Sequence, residues 1–138
     1  MNSLEKKMFF LPNRLFIKKD KLFLAFNLSV IPRDMDVTSM FLYIPLPGYA
    51  TSTNVYVKEI TSRWSEKSLK KGSTPTRSGL LQLISCPPKQ DTLNINVTNL
   101  HPKWRLKRKN NHGIYIRFKN QNIKHLESNP PYLVIDTI

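Results

Sequence analysis

Leu93-Asn94-Ile95-Asn96-Val97-Thr98-Asn99-Leu100, then Pro102-Lys103-Trp104, then Gly113-Ile114-Tyr115-Ile116-Arg117-Phe118, and finally Asn129-Pro130-Pro131-Tyr132-Leu133-Val134-Ile135 occupy the last third of the chain. Leu93, Ile95 and Val97 point one way and Asn94 and Asn96 the other. Ile114, Ile116 and Phe118 repeat the pattern against Tyr115, Arg117 and Lys119. A period of two is the mark of half-buried antiparallel strands. Between the first two strands the sequence predicts one short helix or turn near residues 99–104. Thr98 or Asn99 is a suitable cap, and Pro102 is tolerated in a first turn.

Working outward, Leu22, Leu24, Phe26 and Leu28 alternate with Phe23, Ala25 and Asn27, which predicts a strand over 21–28 that ends before Ile31-Pro32. Residues 37–44 form the next, with Met40, Leu42 and Ile44 on one face and Phe41 and Tyr43 on the other, stopped by Pro45 and Pro47-Gly48. Residues 54–60 and 80–85 supply two more, and 7–18 one more around Pro12-Asn13. The polar, basic segment 61–79 between them reads as a loop, with 65–77 its most mobile part. No helical period lasts three turns. Seven to eight short strands punctuated by turns predict an all-β, antiparallel two-sheet sandwich of jelly-roll type.

The 138 residues suit one domain spanning 1–138, with 1–6 a flexible tail, able to bury about two-thirds of the unfolded chain's surface. The single Cys86 excludes an internal disulfide and leaves only an intermolecular one. Met8-Phe9-Phe10-Leu11 is too short for a signal peptide's apolar region, so synthesis in the cytoplasm without membrane insertion is expected.

Charge is the strongest anomaly of composition. The 22 Lys and Arg against nine Asp and Glu give a net charge of +13, which implies an anionic partner. Basic residues concentrate at Lys18-Lys19-Asp20-Lys21, at 67–71 and at 103–109. In the last run Lys103, Arg105, Lys107, Arg108 and Lys109 surround Trp104 and Leu106. Such a loop suits phosphates, uronates or carboxylates through charge-assisted hydrogen bonds. Tyr49, Tyr56 and Tyr115 are the candidate exposed aromatics; Tyr115 alternates with inward Ile114 and Ile116 beside Arg117.

The order of these segments resembles the DNRLRE domain, a β-sandwich related to carbohydrate-binding modules and similar in outline to the TGF-β propeptide fold. Leu24-Ala25-Phe26-Asn27-Leu28-Ser29-Val30-Ile31-Pro32 resembles that family's early strand, and Val37-Thr38-Ser39-Met40-Phe41-Leu42-Tyr43 its next. The strand from Val55 followed by Trp64-Ser65-Glu66 resembles a strand leading to a Trp-x-Glu turn. Val97-Thr98-Asn99-Leu100 with Trp104, Gly113-Ile114-Tyr115-Ile116, and Pro130-Pro131-Tyr132-Leu133-Val134-Ile135 resemble the later landmarks. The resemblance covers residues 21–138 and implies a non-enzymatic sandwich in which Trp64 and Trp104 sit at strand-to-loop corners as packing. Residues 1–20 are shorter than the usual opening, and Asn96 stands where an Asp is common, so a calcium position is not implied.

No catalytic constellation accompanies this frame. His101, His112 and His125 lie at loop-like spacings, without a Ser, Cys or carboxylate at a recognisable offset, and a metal needs three converging ligands. Asp34 and Asp36 suit a hard cation, yet Arg33 stands beside them. The expectation is no enzyme, no cofactor and no metal.

The leading expectation is a structural or adhesive module of a surface assembly such as a spore coat, appendage or cell-surface layer, self-associating or held by other surface proteins. The alternative is a carbohydrate-binding module for an anionic polysaccharide, with Lys103, Arg105, Lys107, Arg108, Lys109, Tyr115 and Arg117 as contacts. Nucleic acid is the weaker alternative, because a stripe of stacking aromatics is not evident.

Overall fold

A computed structural model of the chain describes residues 5–138, the side chain of Arg108 excepted. Nine strands form two antiparallel sheets: β1 (Lys6–Phe10), β2 (Arg14–Lys18), β3 (Lys21–Ala25), β4 (Val37–Pro45), β5 (Thr53–Ile60), β6 (Arg77–Cys86), β7 (Thr92–Asn96), β8 (Ile114–Phe118) and β9 (Tyr132–Thr137). Two short α-helices, α1 (Glu66–Lys70) and α2 (His101–Leu106), and three single 3-10 turns lie in the connections. One sheet has the order β1-β9-β4-β7 and the other β2-β3-β8-β5-β6.

With β2 set aside, the pairs β5·β6, β4·β7, β3·β8 and β1·β9 are nested one inside the next, each antiparallel. That is one long hairpin rolled on itself, the topology of a jelly roll. β2 is an addition at the edge of the five-stranded sheet, paired with β3 through the Lys19-Asp20 turn, where Lys19 has φ 57°. The opening stretch yields two strands instead of the one expected, because it bends at Pro12 and resumes where Asn13 N–H donates to the carbonyl of Ala25. The count is therefore nine. Lys6 pairs with Thr137, so the first strand begins inside the segment expected as a tail, of which residues 1–4 lie outside the described residues.

The alternating residues do what a period of two requires. Leu22, Leu24, Met40, Leu42, Ile44, Val55, Val57, Leu93, Ile95, Ile114, Ile116, Phe118, Leu133 and Ile135 all enter the layer between the sheets. Trp104, on α2, is buried in the same core and stacks on Phe26, ring centroids 6.3 Å apart. A 3-10 turn over Thr98–Leu100 runs directly into α2, so helical structure lies where it was expected, but neither Thr98 nor Asn99 caps it: the flanks are Val97 and Leu100, with no side-chain cap. The Thr98 hydroxyl instead accepts from the Met40 N–H at 2.9 Å and donates to Asn96 Oδ1, which ties this crossing to β4.

A second, smaller core lies on the outside of the five-stranded sheet. Phe23, Ala25, Ile60 and Tyr115 are covered there by Trp64 and by Leu69 of α1. The segment expected as a loop thus carries a helix, capped by a reciprocal pair in which Ser65 accepts from the Ser68 N–H while Ser68 accepts from the Ser65 N–H, both at 3.0 Å. Trp64 donates from its indole to the carbonyl of His112, and the Arg14 guanidinium lies 4.7 Å over its ring. Both tryptophans are packing, but Trp64 packs outside the sandwich layer.

Candidate anion-binding surface

The structure disperses the basic loop of residues 103–109. Lys103 reaches back to the buried carboxylate of Glu59, Nζ to Oε2 3.1 Å. Arg105 is buried, and its Nη2 donates to the carbonyls of Pro32 and Arg33, both at 2.9 Å, and of Met35. Its charge is spent holding the loop after β3, which corrects the expectation that Arg105 contacts a partner. Lys107 and Lys109 are exposed and line an open hollow of about 570 Å³ with Arg33, Leu106 and Asn110. The Arg108 side chain lies outside the described residues.

Tyr115 is also placed otherwise than expected. It does face away from the inter-sheet core, as its alternation with Ile114 and Ile116 requires. Yet it is only 4% exposed, because Phe23 packs edge-on at 5.3 Å and the Arg77 guanidinium sits 4.4 Å over its ring. Burial pushes its hydroxyl above the ordinary tyrosine range. Tyr115 is a floor, not a contact.

Arg117 is brought into a larger arrangement. Residues directly opposite in an antiparallel pair share a face. Lys18 stands opposite Lys21, Lys21 opposite Arg117, Arg117 opposite Tyr56, and Tyr56 opposite Leu83. A single row, Lys18-Lys21-Arg117-Tyr56-Leu83, therefore crosses all five strands on the outer face. Four strand spacings make it about 19 Å long. Lys58 stands in the adjoining row opposite Tyr115, and Lys119 follows β8, its N–H donating to the Asn54 carbonyl at 3.1 Å.

Two hollows flank the row and share Arg117. One, about 330 Å³, is lined by Tyr56, Lys58, Tyr115, Arg117 and Lys119. The other, about 550 Å³, is lined by Lys19, Asp20, Lys21, Arg117, Asn120, Gln121 and Asn122. Asp20 is the one acid among these linings. Its Oδ2 accepts from Arg117 Nε at 3.2 Å and from the Asn120 N–H at 3.0 Å, and its carbonyl accepts from the Phe118 N–H. The β2–β3 turn is thereby fastened to the end of β8, and Arg117 is held in the row through its Nε.

Sequence reading singled out Arg117 and noticed Lys18, Lys21 and Tyr56, but it left Lys58 out and did not align these residues. The signal exists only in the register, which brings the cations of β2, β3 and β8 into one line with Tyr56 of β5.

Such a surface offers charge-assisted donors and one aromatic face. Among the described residues no group of three His, Cys, Asp or Glu side chains is placed to hold a metal ion. His125 is engaged with the Pro45 carbonyl at 2.8 Å, and burial holds the His101 and His112 imidazoles below their ordinary range. No helix is long and apolar enough to cross a membrane among the described residues. No family model matches the chain, and no curated protein matches it.

Proposed function

We propose that this chain is a non-catalytic β-sandwich module that binds an extended acidic polysaccharide across the outer face of its five-stranded sheet. The observation that carries the reading is the row Lys18-Lys21-Arg117-Tyr56, one cation per strand followed by a half-buried ring. A polymer bearing a carboxylate on each sugar would meet charges repeating at the strand spacing of about 4.8 Å. Tyr56 offers a ring to a sugar face, and Asn120, Gln121 and Asn122 offer amides to its hydroxyls. A single-stranded nucleic acid is matched less well, because such partners stack successive bases on several aromatics. The resemblance to the DNRLRE domain belongs to the same proposal, supported by the two-sheet sandwich fold alone.

Affinity electrophoresis in gels containing alginate, with neutral dextran gels as reference, tests this. Retardation in alginate alone is expected, and Arg117→Gln and Tyr56→Ala each restore most of the free mobility. Equal mobility in both gels, or retardation that ignores these substitutions, contradicts it.

A structural or adhesive role has one observation in its favour. Leu80, Leu81 and Leu83 are 49%, 44% and 56% exposed on β6, an uncovered edge strand. Against it, β6 carries two register shifts along β5, and Cys86 is buried away from any intermolecular bridge. Bulges of this kind blunt an edge. A monomeric mass by light scattering at high concentration would remove this second reading.

A further inference from the structure

The end of the sandwich formed by α2 and the loop after β3 carries a feature separate from the cationic row. Leu106, the last residue of α2, is 42% exposed, and Val30 on the neighbouring loop is 71% exposed. Arg33, Lys107, Lys109 and Asn110 surround Leu106 in the open hollow there, and no acid among the described residues lines it. The nearest acid in sequence is Asp34, exposed beside Arg33 on the same loop.

The two backbones that carry these residues are joined by arginines. The buried Arg105 guanidinium binds three carbonyls of the loop after β3, and Arg33 Nη2 donates to the Leu106 carbonyl at 3.2 Å. The loop that carries Val30 and the end of α2 that carries Leu106 are thereby fixed against one another. An acidic polymer would need the cations but not the apolar tips. A protein partner would need a contiguous face, of about 800 Å² per side, which two isolated side chains do not provide. An anionic bilayer surface supplies negative charge and an apolar layer just beneath it.

We propose that this end of the molecule docks on an anionic bilayer surface, with Leu106 and Val30 entering the headgroup layer and Arg33, Lys107 and Lys109 on lipid phosphates. The contact is peripheral and independent of the polysaccharide reading, since none of its residues belongs to the row on the five-stranded sheet.

Sedimentation of the full chain with vesicles of phosphatidylcholine, and of equimolar phosphatidylcholine and phosphatidylglycerol, tests this. Binding to the mixed vesicles alone is expected, weakened about fivefold for each of Lys107→Gln and Lys109→Gln. Leu106→Ser and Val30→Ser weaken it further, whereas Arg117→Gln leaves it unchanged. Leu106→Trp keeps it, and the new indole's emission shifts to the blue on mixed vesicles. Failure to bind them overturns the proposal. So does loss of binding in Arg117→Gln with the tip variants unaffected, an unmoved indole emission, or complete displacement by soluble glycerophosphoglycerol.

Discussion

Arg117 Nε lies 3.2 Å from Asp20 Oδ2, a contact between residues 97 apart in sequence that joins the β2–β3 turn to the end of β8. Burial alone would raise the Asp20 carboxyl, but the Asn120 N–H and the hydrogen bond and charge of Arg117 outweigh it and hold it below the ordinary 3.8. A carboxylate depressed in the folded state contributes stability above its unfolded pKa and loses it as pH falls through the folded one. Asp20→Asn is therefore less stable than the parent chain at neutral pH, and the gap closes as the pH drops below 3.8. Urea midpoints for both proteins across that range measure it; a gap that persists in acid contradicts it.

Gly113 opens β8 with φ +93°, and a Cβ there would lie 1.8 Å from the carbonyl oxygen of Leu24. Strained backbone and a collision with β3 backbone act together, so Gly113→Ala destabilises the fold by about 4 kcal/mol. That is a large part of the stability of a domain of this size. An unchanged urea midpoint would show that β3 and β8 are not held this closely.

Arg105 is a clamp whose three acceptors all meet one nitrogen. Arg105→Met leaves those carbonyls without their donor and costs about 3 kcal/mol. Arg105→Lys restores part of it, since an ammonium has three donors. Denaturation of the two variants measures this, and retention in alginate gels is expected to stay the same in Arg105→Lys. If Arg105→Met instead loses retention at full stability, Arg105 is a contact after all.

The strands were legible because a period of two is local: Ile114, Ile116 and Phe118 declare their face without reference to anything else. What covers the opposite face was not. Tyr115 is read correctly as outward, but Trp64, Leu69 and Arg77 come to it from a distant segment. The helix bearing Leu69 is masked because its cap uses Ser65 with Ser68, where the usual signature has Glu or Gln. Charge misled for a related reason. Arg105 and Lys107 look alike in sequence, and only tertiary packing decides that one satisfies carbonyls inside while the other faces water. The row of Lys18, Lys21, Arg117 and Tyr56 has no sequence signature, because strand register is its only cause.

The most direct measurement is a map of backbone amide shifts on titrating an oligouronate into the isotopically labelled chain. The account predicts that the perturbed amides concentrate on β2, β3, β8 and β5, around Lys18, Lys21, Arg117, Tyr56 and Lys58, with the 118–122 turn included. It also predicts that Lys107 and Lys109 stay unmoved. Shifts confined to the α2 end, or scattered over every exposed lysine in proportion to charge, would contradict a built binding face on the five-stranded sheet.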